Sequence, residues 1–133
     1  MEYKRTLEED YQLGKKEGAK FDANKERFDL LPSYPLWELV RIYTYGAQKY
    51  DPENWRKGMS YGKLFAACLR HLYKWWMGEE CDKESGLHHL AHAAFQCFAL
   101  MEYQRLKVGK DDRMDKDCIT WMNENNKIKG ERP

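Results

Sequence analysis

The chain holds four histidines, and three of them, His88, His89 and His92, fall within the five residues HHLAH. On a helix His88 and His92 stand four apart and His89 and His92 three apart, so either pair can turn ring nitrogens to one side. Gln96 continues the side that carries His89 and His92. Imidazoles so spaced can share a divalent metal, as the Glu-x-x-His pairs of carboxylate-bridged bundles do. The preceding stretch EECDKES adds Glu79, Asp82 and Glu84. Carboxylate oxygens beside imidazole nitrogens suit a divalent cation. The fourth histidine, His71 in LRHLYKWW, joins the others if its helix packs antiparallel to theirs. The candidate ligands are therefore His71, Glu79, Asp82, His89 and His92, with Glu38 as either a further ligand or an ordinary surface acid. Against this stands a plainer reading. Flank histidines are commonly solvated or satisfied by one hydrogen bond, and acidic residues collect at helix N-termini through the macrodipole. The gathering of the whole histidine supply in one groove favours ligands. Zincin chemistry is excluded, because His89 stands where H-E-x-x-H needs its glutamate base. A His-Asp dipeptide, required by another class of metal phosphohydrolase, is absent.

Helices must position these groups. Thr6 and Glu9 can form a capping box for a short helix near the start. Residues 19–32, AKFDANKERFDLLP, have no clean period and read as an ordered loop or arm. Ser33 can cap a helix running to about Tyr50, with Pro35 tolerated in its first turn. Residues 51–60 are turn material. Ser60 caps a helix with Tyr61, Leu64, Phe65, Cys68, Leu69, Leu72 and Trp76 on one face, ended by Gly78. Ser85 opens the next, with Leu87, Leu90, Ala91, Ala94, Phe98 and Met101 as its stripe, the histidines on an arc beside it, and Gly109 as its stop. A last helix is expected from Asp112 to Asn123, with Met114, Cys118, Trp121 and Met122 inward, before a frayed tail. No strand-like alternation is sustained. The fold class is all-α, a compact helical bundle.

At 133 residues one domain is expected over 1–133: an N-terminal arm (1–19), a catalytic helical core (20–108) and a C-terminal helix with its tail (109–133). A net charge of +1 provides no basic field for nucleic acid, so no nucleic-acid partner is expected. No apolar run approaches a membrane span and the first residues are too polar for a signal peptide, so a soluble, cytoplasmic protein is expected. Cys68, Cys81, Cys97 and Cys118 lack C-x-x-C spacing, which argues against a thiolate zinc site. Aromatic residues, 14% of the chain with five tryptophans, are abundant enough for some to stack on a flat ligand.

The run K-x-D-x-x-K-x-R-x-D-L-L-P (20–32), then G-A-x-K-Y (46–50), N-W (54–55), R-H (70–71), W-x-G-E-x-x-D-x-E-S-G (76–86) and H-L-A-H-A (89–93), resembles the phage dATP/dGTP diphosphohydrolase family. That family is related to the MazG-like all-α nucleoside triphosphate pyrophosphohydrolases. The resemblance covers about residues 19–106. It implies a MazG-like bundle completed by forming a homodimer or homotetramer, with a purine (deoxy)nucleoside triphosphate as partner. The implied reaction converts dGTP, GTP or dATP to the monophosphate and pyrophosphate in phage nucleotide-pool remodelling. Members called MazZ, which cleave (d)GTP in this way, serve phages that replace adenine with 2-aminoadenine. One departure is informative. The wider pattern builds an all-carboxylate magnesium site from E-E-x-x-E and E-x-x-D, whereas here HHLAH overlies the common E-E-L-G-D stretch. Imidazoles in carboxylate positions imply a rebuilt site, holding Mn²⁺ or Mg²⁺, with Co²⁺ or Zn²⁺ as alternatives.

A triphosphate needs its charge shielded and a water made nucleophilic. Lys20, Lys25, Arg27, Lys49 and Arg70 are candidates to neutralise phosphates, and Asp22 shares their run. Trp55 corresponds to an aromatic that stacks on the base in related enzymes, with Asn54 beside it. Glu79, Asp82, Glu84 and Arg70 form the expected catalytic set. The rival class is a non-catalytic nucleotide-binding or protein-interaction module with a closed structural metal site.

Overall fold

The computed structural model describes residues 5–15 and 18–125, and the chain divides into two compact units, residues 1–33 and 34–133. Part of the expected arm and residues 126–133 of the expected tail fall outside the described residues.

In the first unit, α1 (Leu7–Gly14) starts from the expected capping box. The Glu9 N–H donates to Thr6 Oγ1 at 3.2 Å and the Thr6 N–H to Glu9 Oε2 at 2.8 Å. Asp10 is buried and pairs with Arg5, which also reaches Asp22 at 3.2 Å. The stretch expected as a loop is loop, with one 3₁₀ turn at Phe28–Leu30.

From the boundary onward the chain is helical: α2 (Ser33–Lys49), α3 (Tyr61–Trp76), α4 (His89–Leu106) and α5 (Cys118–Asn125). The described residues contain no β-strand, only isolated bridges Ser60–Lys110 and Cys81–His88. The all-α expectation holds. Leu64, early in α3, packs with Ala99 and Tyr103, late in α4, while His71, late in α3, meets His89 and His92 at the start of α4. The two helices therefore run antiparallel, as the His71 argument required. Methyl-sized residues on α4, Ala91, Ala93 and Ala99, are buried and let the backbones approach closely.

The expected buried faces need correction. Of the α3 stripe only Leu64 is buried, and Phe65 and Trp76 are 59% and 77% exposed. On α4 the buried positions are His89, Ala91, His92, Ala93, Ala99 and Tyr103, whereas Leu90, Phe98 and Met101 are exposed. The histidines are inside, not beside the core. Apolar residues surround nearly the whole of α4, so periodicity could not select its inner face. Nor does Ser85 open this helix. His88 caps it, its Nδ1 accepting from the Leu90 N–H at 3.1 Å. The other end stops at Lys107, in the left-handed conformation, before Gly109 is reached. α5 begins at Cys118, later than expected, and Met114, Trp121 and Met122 are exposed rather than inward.

Gly109 has a different task. The chain after α4 returns across the start of α3, where the Tyr61 N–H donates to Lys110 O at 2.9 Å and the Gly62 N–H to Asp112 Oδ1 at 2.8 Å. These bonds satisfy amides that Ser60, the N-cap residue, leaves unpaired by its side chain. The approach requires glycine twice. A Cβ on Gly58 (φ +90) would lie 2.5 Å from Gly109 N, and one on Gly109 (φ +78) 2.5 Å from Met59 O.

Candidate functional site

The connection from α3 to α4 is a tight loop whose backbone folds Glu79 and Asp82 back over the first turn of α4. Its hydrogen bonds run from the Asp82 N–H to Leu87 O at 2.8 Å, the Gly86 N–H to Asp82 O at 2.7 Å and the His89 N–H to Glu80 O at 2.8 Å. Asp82 is then clamped by Ser85, whose N–H and hydroxyl both reach its Oδ2, at 2.9 and 3.0 Å. Ser85 Oγ also lies 2.7 Å from His92 Nε2. This engagement is why Ser85 is not a helix cap: its hydroxyl is committed within the loop.

Against this loop stand the imidazoles. His89, fully buried, has its Nε2 2.8 Å from Glu79 Oε1 and its Nδ1 2.8 Å from His71 Nδ1. A neutral His89 donating its Nε2–H to Glu79 presents the lone pair of Nδ1 toward His71 and Asp82. That is the carboxylate–histidine arrangement that orients metal-binding imidazoles. Among the described residues, His71, Asp82 and His89 form a group whose ligand atoms lie within 4.8 Å of one another. His92 backs it, its ring stacked on that of His71 and its Nε2 4.0 Å from Asp82.

The electrostatics of these groups are those of acceptors. Burial, then the neighbouring His92 and His89, pushes His71 down to about 4, so it stays neutral at neutral pH. Burial also lowers His92, with Asp82 opposing. For Asp82 burial acts upward, but the Ser85 hydrogen bonds and the two imidazoles outweigh it and hold the carboxyl below its ordinary range. The hydrogen bond with His89 holds Glu79 low as well. Imidazole nitrogens beside an ionised carboxylate fit a divalent cation, two nitrogens to one oxygen being a donor set of borderline softness.

His71, Asp82 and His92 form one wall of a pocket of about 500 Å³ that also takes in Lys49, Arg70, Lys74 and Glu84. Its aromatic lining is Tyr43, Tyr45, Tyr50, Trp55 and Phe95. Tyr43 and Phe95 meet edge to face at 4.9 Å, and Trp55 touches both. Tyr43, Trp55 and Phe95 thus form one aromatic cluster, while Tyr45 and Tyr50 stand beside Lys49.

Residues 15–113 match the family described as dATP/dGTP diphosphohydrolase, N-terminal. The chain belongs to that family. A dATP/dGTP diphosphohydrolase of Salmonella phage PMBT28 is 33% identical over 96 residues, covering 72% of this chain and 33% of the relative. The chain thus spans about a third of the length of that curated relative. No solved structure matches it.

The span shared with the dATP/dGTP diphosphohydrolase N-terminal family contains every candidate site residue. The second unit brings His71, Asp82, His89 and His92 together, with Glu79 behind His89 and with Arg70, Lys49, Glu84, Asn54 and Trp55 around the adjoining pocket. Glu84 is tied to Lys49 at 2.5 Å and to the Tyr45 hydroxyl at 3.4 Å. Trp55 is shared with the core, stacked on Tyr103, whose hydroxyl donates to Trp55 O at 2.5 Å. Glu38 is apart, paired with Arg41 on α2 at 3.1 Å. His88 is occupied as the cap of α4. In the first unit Arg27 grips Asp29 through two 2.8 Å bonds, Asp22 holds Arg5, and Lys20 and Lys25 are exposed. Tyr43, Tyr45, Lys74 and Phe95 line the pocket without having been expected there. Lys74 was findable, since it follows Arg70 by one helical turn; the aromatic lining from α2 was not, because it depends on how α2 meets α4.

Proposed function

We propose that this chain binds dATP or dGTP and, with a divalent metal, hydrolyses it at the α-phosphorus to the deoxynucleoside monophosphate and pyrophosphate. The observation that carries the reading is that the His71–Asp82–His89 group adjoins a pocket lined by both cations, Lys49, Arg70 and Lys74, and an aromatic cluster, Tyr43, Trp55 and Phe95. The phage relative is a dATP/dGTP diphosphohydrolase, which supports the same substrates; we propose nucleotide-pool remodelling as the role that consuming them would serve.

His71, Asp82 and His89 would hold the metal, with Glu79 fixing His89 in the tautomer that leaves Nδ1 available. When bound, such an ion supplies Lewis acidity at phosphate oxygens and lowers the pKa of water. The triphosphate lies against Arg70, Lys74 and Lys49, whose charges offset the build-up on the leaving pyrophosphate. The base lies toward Tyr43, Trp55 and Phe95. A water oxygen bonds to the α-phosphorus while the bond to the bridging oxygen breaks and its electron pair leaves with pyrophosphate. Lys49, drawn from Glu84 onto phosphate, frees that carboxylate to take the water's proton. The exposed Trp37, Phe65 and Trp76 support association into a homodimer or homotetramer.

Incubation with each dNTP and Mn²⁺, followed by product analysis, tests the proposal. Deoxynucleoside monophosphate and pyrophosphate from dATP or dGTP are expected. Orthophosphate would mean stepwise dephosphorylation instead. No turnover with any nucleotide in Mn²⁺, Mg²⁺, Co²⁺ or Zn²⁺ would leave a binding module.

A further inference from the structure

We infer that Gln96 reads position 6 of the purine, and that its carboxamide is what lets one pocket take both adenine and guanine. The inference rests on the purine substrate proposed above. Gln96 lies four residues after His92 on α4, on nearly the same side of the helix and about 6 Å further along its axis. It lines the same pocket, next in sequence to Phe95, whose ring joins Tyr43 and Trp55 in the aromatic cluster. Gln96 is half-buried, and among the described residues its carboxamide makes no hydrogen bond. A long polar side chain, unpaired beside a surface suited to a flat ring, is available for the edge of that ring.

The chemistry of the carboxamide suits two purines. Adenine presents an amino donor at position 6 beside an acceptor at N1, and guanine presents a carbonyl acceptor there beside an N1–H donor. A carboxamide carries one acceptor and one donor group side by side, and rotation by half a turn exchanges them. Gln96 therefore meets adenine in one orientation and guanine in the other with the same count of hydrogen bonds. A carboxylate or an ammonium in its place would match only part of either pattern. The metal group and the phosphate-side cations see the same triphosphate in both substrates and do not distinguish them.

The test uses the full chain and three nucleotides: dATP, dGTP and 2′-deoxynebularine triphosphate, a purine with no substituent at position 6. Gln96→Met keeps the length and volume of the side chain and removes its hydrogen bonds. Turnover with Mn²⁺ and equilibrium binding of the non-hydrolysable α,β-methylene analogues are measured in parallel, with melting temperature as the folding control. For Gln96→Met, kcat/KM and affinity are expected to fall roughly tenfold for the adenine and guanine nucleotides and by less than about threefold for the nebularine nucleotide. Equal losses for all three, or no loss, would overturn the inference. Analogue binding separates the two proposals. If the wild-type chain binds the purine analogues with this Gln96 dependence yet turns over nothing, the hydrolase reading fails and the base-reading role stands. If it binds neither analogue, both fall. Should Gln96→Met not fold, Gln96→Leu, which also removes both hydrogen bonds without adding charge, carries the same comparison with the same expected losses.

Discussion

His71 and His92 stack face to face across the α3–α4 interface, their ring planes 4° apart and their centroids 4.4 Å apart. Two imidazoles held so closely repel if both are protonated, and His71 touches a third, His89, through its Nδ1. The packing of two helices has thus produced a site that favours lone pairs over protons. Burial penalises the protonated form, so grouped neutral imidazoles are suited to accepting a metal cation through their lone pairs.

Replacing His89 tests that arrangement at its centre. His89→Ala removes both contacts of a fully buried ring, with Glu79 and with His71, and leaves a cavity between them. A stability loss of about 2–4 kcal/mol is expected from cavity and hydrogen-bond losses together. Calorimetric titration with Mn²⁺ or Zn²⁺ should show binding abolished at temperatures where the variant remains folded. Unchanged metal binding by the folded variant would remove His89 from the site.

Acid should unfold the metal-stripped protein earlier than its carboxylates alone require. His71 titrates near 4 in the folded chain, below its ordinary 6.5. Between those values the unfolded chain binds more protons, so the stabilisation is full above about pH 6.5 and is lost as pH falls to about 4. His92 is lowered chiefly by burial and acts in the same direction. Denaturant midpoints measured in chelator from pH 7 downward should decline steadily, and His71→Asn should flatten the upper part of that curve. A wild-type profile level down to pH 5 contradicts the shift.

Lys49 and Glu84 make an exposed pair that contributes little to the fold. Lys49→Met should leave the melting temperature where it is and raise KM for the nucleotide about tenfold or more, through the lost charge-assisted contact. The wild-type KM should also rise with salt. Equal KM for variant and wild type would assign Lys49 to the surface.

Trp55 belongs to the core as much as to the pocket. Trp55→Ala should cost about 3–5 kcal/mol through the contacts with Tyr43, Phe95 and Tyr103. Trp55→Phe should recover much of that stability. If Trp55 also stacks on the base, KM for Trp55→Phe remains raised although the melting temperature recovers. Full recovery of both would make its role structural.

The parts legible in the sequence share one property: they rest on local chemistry. The Thr6–Glu9 box, the ends of α2 and the antiparallel meeting of His71 with HHLAH follow from side chains a few residues apart or from helix spacing. What escaped depended on competition between distant groups. Ser85 and His88 are both able to cap a helix, and Asp82, folded back by the loop, decides between them by engaging Ser85. The inner face of α4 combines small residues, Ala93 and Ala99, with His89 and Tyr103, while Phe98 and Met101 are outside, so neither size nor apolar character alone marks it in the sequence. α5 carries the right apolar residues, but Asp112, expected to begin it, is used at the start of α3.

That use of Asp112 sets an order of events. The His71–His89 contact closes a separation of 18 residues, whereas the Gly62–Asp112 bond closes one of 50. Loop-closure entropy makes the longer closure costlier by about 0.9 kcal/mol before any contact rewards it. The α3–α4 hairpin, with its imidazoles already juxtaposed, is therefore the part that assembles first, and the glycine crossing at Gly58 and Gly109 is the latch that follows.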